Sequence, residues 1–269
     1  MIDLEKIDYS SLDRMEIVRY LFYPRPEFSV PWNQTSLDLM IPVEKGVSVG
    51  ARFHVKDKAG PNIIFFHGNG EIVADYDDIA EIYTHLGINF FPVDYRGYGR
   101  STGTPSVTAM MRDAHVSYTF VRNWLDENGH TGSFIVMGRS LGSAPALELL
   151  ASYGDKIDAS IIESGFAHTS TLLRILGIDM RTLGLTEEDG FRNIDKIRTF
   201  GKPTLIIHAE HDHILPFKDG RALYEASPAP EKILLMIQGA NHNDILLRGL
   251  DQYVDAVKEL TRKAAALKQ

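Results

Sequence analysis

Three side chains of this 269-residue sequence are of the types that together make a nucleophile out of a hydroxyl: Ser140, Asp212 and His242. Ser140 lies in Gly138-Arg139-Ser140-Leu141-Gly142, after the apolar and β-branched run 134–137 and before the helix-forming run 144–153. That reads as strand, tight turn, helix. Glycines two before and two after the serine let neighbouring backbone pass close, and the turn pushes the hydroxyl out above a sheet edge. A serine hydroxyl is a poor nucleophile at neutral pH, so attack on an acyl carbonyl requires a base, an orienting acid and donors for the oxyanion. Asp212 follows a buried strand in His208-Ala-Glu-His-Asp212-His-Ile-Leu-Pro216, and His242 follows the last strand in Gly239-Ala-Asn-His242-Asn-Asp244. Glu163, at the end of the strand before Asp212, is the competing acid, whereas Glu210 and Asp244 read as solvated neighbours.

Those positions need elements to hold them. From Pro61 onward, continuous apolar strands alternate with helices: strands at 62–66, 88–93, 134–137, 157–162, 203–207 and 233–237, helices at 76–86, 107–125, 144–153 and 244–266. Unbroken apolar strands separated by helices indicate a mainly parallel sheet covered on both faces. Ahead of it, the alternating runs 35–43 and 47–55 with Gly46 near the turn predict an antiparallel hairpin on the sheet edge. Ser10 or Ser11 is the predicted cap of a helix carrying Leu12, Met15, Ile17, Val18, Leu21 and Phe22. Between 164 and 201 the alternation lapses into an apolar cluster, from Leu172 to Leu185, and a polar break at 187–190. We expect one α/β domain over 1–269 with a small cap inserted at 164–201.

Composition removes several alternatives. There is no cysteine, which excludes a thiolate nucleophile, disulfides and Cys-type zinc sites, and fits a reducing compartment. A net charge of −8 opposes a nucleic-acid-binding surface. The acidic start lacks the basic and apolar regions of a secretory signal, and no run reaches the length of a membrane span, so a cytoplasmic protein is expected. The glycines at 97, 99 and 103 lack dinucleotide-binding spacing, and the His208–His213 cluster lacks the HExxH pattern of a zinc helix. Neither a cofactor nor a metal is expected. Asp94 and Arg96 are expected to brace one another near the site mouth, and Arg139 to support the turn from beneath.

Taken together, His67-Gly68-Asn69-Gly70, the stretch from Asp94 to Ser101, Gly138-Arg-Ser-Leu-Gly142, Asp212 before Ile214-Leu-Pro216, and Gly239-Ala-Asn-His242 resemble the α/β hydrolases. In detail they are similar to the esterase-like serine hydrolases of the BEM46/ABHD13-like group. The order Ser, Asp, His along the chain is that of the α/β-hydrolase fold. The resemblance implies Ser140 as nucleophile, His242 as base and Asp212 as orienting acid, with an oxyanion hole from the backbone N–H groups of Leu141 and Asn69. If the main chain does that work, Asn69→Ala costs little. His67 reads as a structural hydrogen bonder. The implied activity is cofactor-independent cleavage of a small-molecule carboxylic ester, or a thioester, through an acyl-enzyme. A peptidase, an acyltransferase on the same triad and a non-catalytic binding protein of the same fold are the alternatives, and the sequence leaves the oligomeric state open.

Overall fold

Apolar residues alternate between the two faces of the central strands, and this fixes the architecture. The computed structural model describes residues 3, 6–28 and 36–268. Among them eight strands form one sheet: β1 (Ser36–Glu44), β2 (Val47–His54), β3 (Asn62–Phe66), β4 (Asn89–Val93), β5 (Phe134–Arg139), β6 (Ala159–Glu163), β7 (Thr204–Ala209) and β8 (Lys232–Ile237). Their order is β1-β2-β4-β3-β5-β6-β7-β8. The β1–β2 hairpin joins antiparallel, and β3 to β8 run parallel. Parallel strands end at a common rim, and the register sets Phe66 beside Gly138 and Arg139 beside Glu163 there.

The helices are α1 (Met15–Leu21), α2 (Asp77–His85), α3 (Val107–Glu127), α4 (Ser143–Tyr153), α5 (Thr169–Ile175), α6 (Asn193–Ile197), α7 (Phe217–Ala226) and α8 (Ile245–Ala266). Ile64, Phe66 and Val136 pack with α1, α3, α4 and α7, whereas Ile63, Phe65, Ile135 and Met137 pack with α2 and α8. A strand period of two thus feeds two separate cores. The start of α3 shows how such a helix is pinned: Ser106 Oγ accepts from Ala109 N–H at 3.1 Å, and Asp13 Oδ1 accepts from Val107 N–H at 2.6 Å. These contacts satisfy donors that a helix leaves unpaired in its first turn.

Several expectations are corrected. The first helix starts at Met15, with Arg14 rather than Ser10 or Ser11 preceding it, because residues 10–12 form a separate turn. Of the predicted hairpin, Thr35 lies outside the described residues. Helix α7 is not among the helices expected above, and it carries Gly220, a poor helix former, in its middle. That glycine is required by space: a Cβ there would lie 2.5 Å from His208 Nδ1. The apolar residues of segment 164–201 are largely used up in packing, with Leu172, Leu173, Met180 and Leu185 buried in the core shared with α1 and α4.

Beside the β1–β2 hairpin, Arg52 is fully buried and meets three carboxylates, Glu27 and Asp38 at 2.7 Å and Asp77 at 2.8 Å. Asp77 begins α2, so this guanidinium ties the edge hairpin, the N-terminal segment and a helix start together. Removing one partner of a buried ionic group leaves the others uncompensated, at a cost of about 3–5 kcal/mol. Arg52→Met should therefore lower the thermal midpoint by about 10 °C. A midpoint within experimental scatter of the parent would show that the three acids find other partners.

Candidate active site

The turn after β5 is built around a costly backbone. Ser140 has φ 53°, in the left-handed region, and begins a 3-10 turn that leads into α4. Its carbonyl accepts from Ser143 Oγ at 2.7 Å. Gly142 is required by close approach, because a Cβ there would stand 2.1 Å from the carbonyl oxygen of Phe66, at the end of β3. The Ser140 turn and the loop after β3 are therefore in direct contact.

His242 Nε2 lies 3.1 Å from Ser140 Oγ, and His242 Nδ1 lies 2.7 Å from Asp212 Oδ2. A carboxylate only accepts, so Nδ1 carries the proton and Nε2 presents a lone pair to the serine. Asp212 is fixed in turn: its Oδ1 accepts from the N–H groups of Ile214 at 3.0 Å and Leu215 at 2.7 Å. Burial pushes its carboxyl up, but the hydrogen bond from His242, that residue's field and the Leu215 N–H outweigh it and hold the carboxyl below its ordinary value. Behind Asp212, His208 donates from Nε2 to the Leu215 carbonyl at 2.7 Å, and burial pushes this imidazole down. The His242 loop is braced by Asp244, whose carboxylate accepts from Asn241 N–H at 2.6 Å and Asn241 Nδ2 at 2.9 Å.

Glu163 does not meet His242 by a hydrogen bond. It is engaged by Arg139 Nε at 3.2 Å and accepts from Tyr253 OH at 2.8 Å, and burial raises its carboxyl. Glu210 instead accepts from Gly239 N–H at 2.8 Å. His67 places Nδ1 2.8 Å from the Gly68 carbonyl and Nε2 3.2 Å from Asp94. Asp94 also accepts from Val73 N–H at 2.9 Å, so the expected Asp94–Arg96 brace is not formed. Arg96 turns the other way and pairs with Asp113 at 2.7 Å and Glu44 at 2.8 Å. The 208–213 cluster does not converge either, since His211 and His213 are exposed, and no described His, Asp or Glu group is arranged to hold a metal.

In the loop after β3, Gly68 N–H is taken by Glu71 Oε2 at 2.6 Å. The Asn69 side chain does more than the sequence reading allows: its Oδ1 accepts from Tyr23 N–H at 2.8 Å and Tyr98 OH at 2.7 Å. Arg25 continues the strap, donating to the Gly70 carbonyl at 2.7 Å and pairing with Asp75. Tyr23, Arg25, Glu71 and Tyr253 went unnoticed in the sequence. Only Glu71, an acid directly after the Gly-Asn-Gly loop, carried a local signal.

A tight serine turn between parallel strands, with a histidine and an aspartate delivered to the same rim by later strands, defines the α/β-hydrolase architecture. A family model described as serine aminopeptidase, S33, matches residues 57–181. The α/β hydrolase domain-containing protein 17B of Homo sapiens is 30% identical over 225 residues, covering 82% of this chain and 73% of that one. The 17C protein of Xenopus tropicalis is 32% identical over 223 residues, covering 80% and 66%. The esterase Pf2001 of Pyrococcus furiosus superposes with a TM-score of 0.71 at 16% identity, covering 89% and 98%. The chain belongs to the α/β-hydrolase superfamily, and is a hydrolase by that membership.

The positive φ at Ser140 costs roughly 1–2 kcal/mol, which glycine would not incur. Ser140→Gly should raise the thermal midpoint by about 2–4 °C. An unchanged or lower midpoint in a calorimetric scan would mean that the turn is not strained.

Proposed function

We propose that this protein is a serine hydrolase that cleaves a carboxylic ester through an acyl-enzyme. The observation that carries the reading is the chain of hydrogen bonds from Asp212 through His242 to Ser140, at 2.7 and 3.1 Å. Ser140 Oγ attacks the acyl carbon while its proton passes to His242 Nε2. The N–H groups of Leu141 and Asn69 receive the oxyanion. Collapse expels the alcohol, which takes the proton from Nε2, and water then repeats the sequence to release the acid and free serine. Asp212 keeps the imidazole in its Nδ1–H form and stabilises the imidazolium without taking the proton itself.

A thioester would react by the same steps, with a thiol leaving. An aminopeptidase reading, suggested by the family model's description, needs a free carboxylate for the substrate ammonium. Two acids that flank Arg139 beside the triad are both engaged: Glu71 by Gly68 N–H and Tyr76 OH, and Glu163 by Arg139 and Tyr253. This supports the ester over the peptide. A non-catalytic binder would have no use for the Asp212 anchoring. In the same reading, segment 164–201 with α5 and α6 is the small cap of a single domain. A cysteine-free chain whose described helices include none long and apolar enough to cross a membrane suits work in the cytoplasm.

A fluorophosphonate probe should modify Ser140 in the folded protein, with the adduct located by peptide mass spectrometry. Failure to label would favour the binder. Across a graded series of p-nitrophenyl esters, Asp212→Asn should lower kcat by about 10⁴-fold while the protein stays folded. If the substituted amide keeps its carbonyl on the Ile214 and Leu215 donors, its NH2 faces His242 Nδ1 and drives the proton to Nε2. An Asp212→Asn enzyme of near-parental activity would sink the assigned role.

A further inference from the structure

The residue before the nucleophile carries an assembly that the triad alone does not explain. Arg139 is nearly enclosed, and its guanidinium reaches three separate loops. Nη2 donates to the His242 carbonyl at 2.9 Å and to Asn243 Oδ1 at 3.3 Å. Nη1 stands 3.4 Å from Glu71 Oε1 and 3.5 Å from His242 Nε2. Nε stands 3.2 Å from Glu163 Oε1. Glu71 hands the contact on, because its other oxygen accepts from Gly68 N–H at 2.6 Å and from Tyr76 OH at 2.5 Å. Glu163 is held on its far side by Tyr253 OH, which is 2.8 Å from Tyr83 OH.

We propose that Arg139 is a positioning residue that sets the spacing between the oxyanion loop, the nucleophile and the catalytic base. The inference rests on the ester-hydrolase reading above and assigns a second task within it. A guanidinium is planar, with five N–H donors in fixed directions, so partners on its edges are held at fixed mutual distances. One edge fixes the main chain of the base and another fixes, through Glu71, the N–H immediately before Asn69. A lysine at 139 would supply the charge without the plane. The two glutamates flank the guanidinium, so that its charge is paired where it is buried, and burial raises the Glu163 carboxyl beside it. A displacement of about 1 Å at such a site can cost about 100-fold in rate, so the spacing is a quantity that kcat reports. A cavity of about 90 Å³ between the sheet, α2 and α8 is lined by Arg139, Glu163, His242 and the tyrosines at 76, 83 and 253. It offers a small cation a place beside the position that truncation would empty.

The test uses p-nitrophenyl butyrate turnover and the rate of fluorophosphonate labelling on the full chain. Arg139→Met should lower kcat by about 100-fold with KM changed by less than about threefold. Arg139→Lys should recover only a minor part of the loss, whereas millimolar guanidinium, and not ammonium at equal ionic strength, should restore Arg139→Met. A kcat for Arg139→Met within about threefold of the parent, full recovery in Arg139→Lys, or loss without guanidinium rescue would each overturn the proposal. If Arg139→Met does not fold, the charge-neutral Glu71→Gln/Arg139→Met/Glu163→Gln protein takes its place, and parental kcat there overturns it equally. A parent protein that is never labelled would instead refute the ester-hydrolase reading. A labelled parent with an equally fast Arg139→Met variant would refute the positioning role alone.

Discussion

A serine held in left-handed backbone at the end of a buried strand is the constraint around which this molecule is arranged. The conformation is unfavourable for any residue with a side chain, so the surroundings must over-determine it. They do so from three directions. Gly142 allows the turn to press on the Phe66 carbonyl, Ser143 caps the Ser140 carbonyl, and α4 starts at once on the far side. The parallel register then brings the ends of β3, β5 and β6 level with one another, so that loops from different parts of the chain share one rim.

The same solution to buried charge recurs among the described residues. Arg52 and Arg139 each sit among carboxylates contributed by other elements, and each joins segments that the hydrogen bonding of the sheet alone would leave independent. Such clusters add little net stability over apolar packing, but they are unforgiving of partial removal. Their contribution here is to fix where loops lie. In the first case these are the hairpin and the start of α2. In the second they are the loops that carry the proposed oxyanion donor and the proposed base.

Much of the fold was legible because buried parallel strands write their period plainly, and each central strand was located to within about two residues. The order of Ser140, Asp212 and His242 was legible as well, and the structure brings the three within hydrogen-bonding distance. What was not legible depends on direction rather than on spacing. Asp94 and Arg96 are two apart, which suggests a pair, yet the backbone sends one inward to His67 and the other out to Asp113. Helix α7 went unread, and the reason for its glycine, the imidazole of His208, lies on another element. The apolar run at 172–185 read as a cluster without a period, and its buried members, Leu172, Leu173, Met180 and Leu185, join the core shared with α1 and α4, a partnership that spacing along the chain does not record.

The N-terminal strap has a further consequence for how this chain can be divided. Tyr23 and Arg25 hold the loop after β3, and the Arg25 carbonyl accepts from Gly99 N–H at 2.9 Å. The stretch matched by the family model, 57–181, contains Ser140 but excludes the strap on one side and Asp212 and His242 on the other. A gene fragment cut to that stretch would encode Ser140 without the histidine and aspartate that meet it, and the loop after β3 without its contacts to Tyr23 and Arg25. The working unit is therefore woven from both ends of the chain, and module boundaries drawn from the matched stretch would cut through it.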